Sequence, residues 1–311
     1  MPGTGSPPQI SSGAKAAPGA GNASNMIYRI FTDATADFPG EAPGNMTVIP
    51  MTVNIDGQDF LYGPGGNLTT KQFYSCLRNG QFASTSQINP ETYRSYFEPV
   101  LRNGVDVLYL CFSSGMSGCY QSACICAEEL RKEYPERRIV CIDTLCASVG
   151  ESFLVLEAGK KAARGMKMDK LIQWINLKKQ NVCHWFTVDT FDHLKHGGRV
   201  SGTTAALGTM LNIKPMLHVD ANGKLSVAEK PRGQRKAMEA QLNRMEQGWI
   251  PEQSPFVLIG HGDCPEAAEE LKTQVHARFP EADIQIATIG PIIGAHTGPG
   301  MLALIYWGNN R

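Results

Sequence analysis

The sequence predicts an α/β protein in two parts, an N-terminal α/β domain on a parallel sheet and a C-terminal two-layer α+β sandwich with a mixed sheet. Three observations carry that expectation. Strand-like and helix-like stretches alternate through the first half, the order that gives a parallel sheet with helices on both sides. Residues 105–112 are almost continuously apolar, as a strand covered on both faces must be. The second half adds closely spaced strands around Asp220-Ala221-Asn222-Gly223, where Asn-Gly suits a tight hairpin. The boundary is expected near Gly165, give or take about ten residues, on the reliability of such boundaries. It divides the 311 residues into domains 26–165 and 166–311, each long enough for its own core.

Each element has a local cause. Residues 27–32 and 48–55 are rich in β-branched and apolar side chains and are expected as strands. Residues 90–102 place Tyr93, Phe97 and Leu101 four apart on one helical stripe. Asn89 is their N-cap, Pro90 suits the first turn, and Asn103-Gly104 closes the helix. After strand 105–112 come a helix over about 118–134, a strand at 138–142 and a helix over about 148–164 that Gly165 ends. The second half opens on a helix near 169–180, then strands at 184–188, 215–219 and 224–230. A helix over about 233–246, a strand at 256–260, a helix over 265–279 and strands at 284–289 and 301–307 complete it.

Composition narrows the function classes. Twenty-nine basic residues balance 29 acidic ones, whereas nucleic-acid binders carry a basic excess to displace counterions. Residues 1–25 are rich in Gly, Pro and Ser with a single Lys. They lack the charged and apolar regions of a secretory signal and are expected as a disordered leader. No run of 18 apolar residues occurs, so no membrane span is expected and the protein reads as cytoplasmic. The nine cysteines include no CxxC pair, and Cys124 and Cys126 would face different sides of a helix. They read as reduced, buried small hydrophobes, with a zinc site of unusual ligands as the alternative.

Candidate chemistry gathers in short segments of hydroxyls, glycines and basic groups. Ser113-Ser114-Gly115-Met116-Ser117-Gly118 follows a strand and precedes a helix, the place where free N–H groups receive a carboxylate or phosphate. A serine-rich N-cap and turn explains it equally. The hydroxyl of Thr85, in Ser84-Thr85-Ser86-Gln87, either joins that anion or caps local backbone. His196-Gly197-Gly198-Arg199 fits a helix C-terminus whose basic groups satisfy carbonyls. His296, among small turn-forming residues, is available for an anion or a hydroxyl network, and His261 more weakly so. No Gly-x-Ser-x-Gly elbow, P-loop, GxGxxG after a strand or HExxH is present.

Seven segments in order resemble the DegV family of fatty-acid-binding proteins, over about residues 27–308. They are DATADFP from Asp33, TSQ from Thr85, SSGMSGCYQSA from Ser113, DTLCAS from Asp143, KHGGRVS from Lys195, LNIKPML from Leu211 and IIGAHTGPG from Ile292. The resemblance implies a cytoplasmic bacterial protein that encloses a long-chain fatty acid between its two domains, without other cofactor or metal. It further implies that Thr85 and Ser117 hold the carboxylate, that His296 joins their network, and that Arg199 supports the head group or phosphotransfer. A separate ATP-using fatty acid kinase subunit would phosphorylate the bound acid, and the acyl phosphate would feed phospholipid synthesis. Three positions depart from the family pattern: Ala34 for Ser, Ile88 for Pro and Cys119 for Thr. Two other readings stand beside this one. One is a small-anion or phosphoryl-transfer enzyme using Ser117 and His296, which needs an activated serine in a wet cleft. The other is a regulatory module whose lipid reports to a partner.

Overall fold

The structure, a computed structural model, describes residues 28–200, 212–309 and 311. The expected leader 1–25 lies outside them. The first half runs β1 (Tyr28–Asp33), β2 (Met46–Ile49), β3 (Met51–Ile55), β4 (Gln58–Tyr62), α1 (Thr70–Arg78), β5 (Ala83–Thr85), α2 (Pro90–Arg102), β6 (Asp106–Cys111), α3 (Cys119–Glu133), β7 (Ile139–Asp143) and α4 (Ser148–Ala163). The second runs α5 (Met168–Lys178), β8 (Val182–Thr187), α6 (Asp192–His196), β9 (Met216–Val219), β10 (Leu225–Glu229), α7 (Gln234–Gly248), β11 (Phe256–His261), α8 (Pro265–Arg278), β12 (Asp283–Thr288), α9 (Pro291–Thr297) and β13 (Leu302–Trp307).

The first sheet has the order β2-β1-β6-β7, with every pair parallel. The six-stranded second sheet, β10-β9-β8-β13-β11-β12, is antiparallel except for β11 with β12. Both match the expected fold class. The period-2 alternation of a strand explains how they share a core. In β6, Val107 and Tyr109 face α2 and α3, while Leu108 and Leu110 face α4. In β13, Leu302, Leu304 and Tyr306 pack with α7 and α8, while Ala303, Ile305 and Trp307 join α4. Helix α4 is therefore clamped between the two sheets, with Phe153 stacked on Phe256 at 5.1 Å between ring centroids.

Several local expectations fare differently. Asn89 caps α2 by accepting the Thr92 N–H at 2.8 Å, Pro90 opens it, and Gly104 follows its C-cap at φ +75°. The single strand expected over 48–55 is two, broken at Pro50, with β2 and β3 in different sheets. Proline has no N–H for a ladder and a fixed φ, so the chain turns from one sheet into the next there. β3 belongs to an unexpected antiparallel sheet, β4-β3-β5. Helix α1 was also unexpected, although its Thr69/Gln72 capping box is visible in sequence. The hairpin between β9 and β10 forms, but on a longer turn in which Gly223 alone takes positive φ and Asp220 accepts the N–H groups of Asn222 and Lys224.

Candidate functional site

A cavity of about 260 Å³ lies between the two large sheets. Its wall is mostly apolar, with Phe112 and Met116 from the first half and Phe186, Met301, Ala303 and Ile305 from the second. Thr85, Ser117, His296 and Arg199 all line it. The sequence thus identified four residues, far apart in the chain, that the fold brings to one cavity.

Each arrives by its own element. Thr85 ends β5, in register with Val53 of β3. Against this small sheet packs α9, which carries His296. The His296 Nε2 lies 2.8 Å from the Thr85 hydroxyl. His296 is therefore in a short helix and not in the turn the sequence suggested. Three glycines and a proline within or beside that helix hide it from propensity, while tertiary anchoring holds it. Asp37, from the DATADFP segment, accepts the Gly290 N–H at the start of α9 at 2.8 Å. It also accepts the Ser148 hydroxyl at 2.6 Å.

Burial lowers the His296 pKa to about 4, helped by the positive fields of Arg199, His196 and His193. The ring is neutral at physiological pH, and its enclosed Nδ1 has no partner among the described residues. Gly197 makes room for it, since a Cβ there would lie 2.1 Å from Nδ1.

Ser117 sits in the loop between β6 and α3, and its oxygen accepts the Cys119 N–H at 3.2 Å. An oxygen that accepts in this way keeps its own proton for donation. The loop is braced from two sides. Asp143, at the end of β7, accepts the Ser114 N–H at 3.1 Å, and the Ser113 hydroxyl donates to the Gly223 carbonyl at 2.7 Å. The N-cap position of α3 is Gly118, which has no side chain to offer its first N–H groups.

Arg199 is exposed and follows α6, whose C-cap is Gly197. Its guanidinium donates to the carbonyls of Met116 and Gly197, the carbonyl-satisfying role anticipated for the His-Gly-Gly-Arg segment. His261 is elsewhere: it ends β11, and its Nδ1 accepts the Cys264 N–H at 3.2 Å.

Several polar lining residues escaped the sequence reading, among them Thr35, Ser148 and His184. Thr35 and Ser148 belong to segments noted there but were assigned no role. His184 sits in β8, where every residue is buried, and the pattern gives no reason to single it out. Its Nδ1 donates to the Val182 carbonyl at 2.9 Å, and burial keeps it neutral by holding its pKa well below the ordinary value.

The polar groups at this cavity are therefore hydroxyls, neutral imidazoles and the Gln87 amide, with Arg199 at the exposed margin. His296 pairs with Thr85 while the Ser117 oxygen is bonded to backbone, so Ser117 and His296 are not arranged as nucleophile and base. Among the described residues, no group of three or more His, Cys, Asp or Glu is placed to hold a metal. No helix among them is long and apolar enough to cross a membrane.

A family model for DegV proteins matches residues 28–309. A DegV domain-containing protein of Clostridium perfringens is 38% identical over 286 residues, covering 91% of this chain and 98% of that one. Among solved structures, a fatty-acid-binding DegV family protein of Thermus thermophilus has a TM-score of 0.81 at 28% identity, over 91% of this chain and 100% of the other. The fatty acid kinase (Fak) B3 protein of Streptococcus pneumoniae, solved with linoleic acid, also has a TM-score of 0.81 over 91% and 100%. At 20% identity that likeness is one of fold.

Proposed function

Since this chain belongs to the DegV family, we propose that it is a carrier and not a catalyst, binding a long-chain fatty acid between two domains that divide near residue 165. Thr85 and Ser117 donate to the carboxylate, His296 orients the Thr85 hydroxyl, and Arg199 stands at the margin where the head group would meet a partner. That partner is a separate ATP-using kinase subunit in the cytoplasm. It phosphorylates the presented carboxylate to an acyl phosphate for phospholipid synthesis.

The observation that carries the reading is the composition of the cavity: an apolar wall contributed by both large sheets, with several hydroxyls, among them those of Thr85 and Ser117, and two neutral histidines on it. A buried carboxylate is tolerable only where it receives hydrogen bonds. Each alkyl methylene removed from water contributes about 0.8 kcal/mol, so a long chain supplies most of the affinity. The fatty acid described for the Thermus thermophilus relative supports the same ligand class.

The test is mass spectrometry of the extract from denatured protein after purification from a bacterial host without added lipid. Stoichiometric fatty acid is expected, and well-folded protein that yields none would overturn the reading. Adding ATP to loaded protein should give no acyl phosphate by hydroxylamine trapping until lysate of the native host is supplied. A hydroxamate formed by the isolated chain would mean that it is itself the kinase.

A further inference from the structure

We propose that His184 makes a hydroxyl-accepting position on the cavity wall, so that the acids bound include those carrying a hydroxyl at mid-chain. This inference rests on the fatty-acid reading above and narrows its ligand class.

The position follows from strand register. On β8, Val182, His184 and Phe186 alternate onto the α4 side, where Val182 and Phe186 join the core. His184 pairs with Ile305 of β13 and Phe186 with Ala303, and all four line the cavity. Strand β13 leads away from the turn after α9, so its wall residues Met301, Ala303 and Ile305 recede in that order from His296. From Met301 to Ile305, at about 3.4 Å per residue, the wall extends roughly 14 Å. An acid whose carboxylate meets Thr85 and Ser117 therefore passes His184 with the middle of its chain.

Two partners fix the tautomer of His184. A carbonyl only accepts, so Nδ1 carries the proton that goes to the Val182 oxygen at 2.9 Å. Nε2 keeps its lone pair, toward which the Ala147 N–H points at 3.4 Å, longer than an ordinary hydrogen bond. Gly150 leaves room for this edge of the ring, since a Cβ there would lie 1.9 Å from Nε2. The residue is 3% exposed, so bulk water does not complete the weak bond. Ala147 and Val149 flank it on the cavity wall. The hydroxyl protons nearby are committed elsewhere, that of Ser148 to Asp37 and that of Thr35 to Asp33.

The chemistry selects a donor. An acceptor left weakly bonded under methylenes is unfavourable, and a ligand hydroxyl buried without a partner is more so. Each removes the other's penalty when the hydroxyl donates to Nε2. Val182 and Phe186, on the same face of β8, fill their places without any polar atom, so packing alone does not call for an imidazole between them.

The experiment is calorimetry on the full chain freed of lipid, with stearic acid and with stearic acids hydroxylated at mid-chain or several carbons to either side. Wild type should bind the mid-chain acid within about threefold of stearic acid, while the displaced hydroxyls cost about tenfold or more. His184→Leu should weaken the mid-chain acid by at least about tenfold relative to stearic acid, and His184→Gln, which keeps an acceptor, by less. Nitrogen NMR of labelled histidine should show the His184 Nε2 resonance moving with the mid-chain acid and not with stearic acid, a response that a purely structural ring would not give. These wild-type measurements decide the matter even where His184→Leu does not fold. A mid-chain acid bound about tenfold more weakly than stearic acid by wild type, or an unchanged ratio of the two in His184→Leu, would overturn the proposal. Failure of stearic acid itself to bind would instead remove the fatty-acid reading beneath it.

Discussion

The hydroxyl of Thr35 has one proton and two carboxyl neighbours, Asp33 at 2.5 Å and Glu151 at 2.7 Å. All three residues are buried, and no ion pair among the described residues reaches either acid. Asp33 also receives the Thr35 N–H and the Tyr109 hydroxyl, whereas Glu151 receives only the more distant Thr32 hydroxyl at 3.2 Å. The donor-rich member is the anion, so Glu151 is the neutral acid and donates to Thr35. Burial, with the field of Asp33, raises the Glu151 pKa in the same sense. Glu151→Gln keeps every donor and should cost under about 1 kcal/mol in denaturant melts, while Asp33→Asn turns an amide toward existing donors and should cost about 3 kcal/mol. Equal losses would sink the assignment.

Asp37 gives a pH dependence of definite sign. Burial raises its pKa from 3.8 to about 7. The folded state holds the proton longer, so its contribution to stability is complete below about 4 and is lost as pH rises through about 7. Asp37→Asn should flatten the fall in melting temperature across that window, and an unchanged slope would assign it to other groups. At the proposed head-group site, Ser117→Ala removes a donor to a charged ligand and should weaken fatty acid binding by about tenfold or more, but the matched alcohol much less. Equal losses for acid and alcohol, measured by calorimetry, would defeat that role.

At the scale of elements, the close approach of α6 to α9 makes a sharper test than the cavity residues themselves. Gly197 has ordinary helical φ, so Gly197→Ala costs the backbone nothing but drives a methyl into the His296 ring. Fatty acid affinity should fall by about tenfold through the lost Thr85 contact. Gly198→Ala, at φ +69° with open space around it, should cost about 1 kcal/mol of stability and leave affinity unchanged. The reverse pattern would show that the turn matters and the ring does not.

Legibility followed the same physics. Helix α2 with its apolar stripe and the strands buried on both faces were readable, because period and burial agree in them. Helix α1 was missed, although it buries Phe73, Tyr74 and Leu77 on one side. The β4-β3-β5 sheet was not readable: β4 is largely exposed and its sequence QDFLY does not alternate polar with apolar residues, and β5 has three residues. Yet that sheet and α9 place Thr85 and His296. Local pattern singled out both residues but left capping open for Thr85 and a turn for His296, and the resemblance of their motifs assigned their roles.

Across the whole molecule, one continuous core runs from Tyr28 in β1 to Trp307 in β13 by way of α4. Phe153 is its midpoint, touching Phe256 from one side and lying 5.1 Å from Trp307. Phe153→Ala should cost about 3–5 kcal/mol. The loss should appear together in both sheets, as a matched fall in hydrogen-exchange protection for β6 and β11. Loss confined to one sheet would mean that the halves unfold independently.

Eleven of the sixteen α4 residues are buried, so that helix has almost no weather side. A side chain chosen to suit one neighbour is judged at once by the other, and neither half of the molecule can be redesigned alone. Cutting the chain after residue 165 severs a short surface connection, but it tears the helix from half of its walls. The seam in the polypeptide and the seam in its interior are different places.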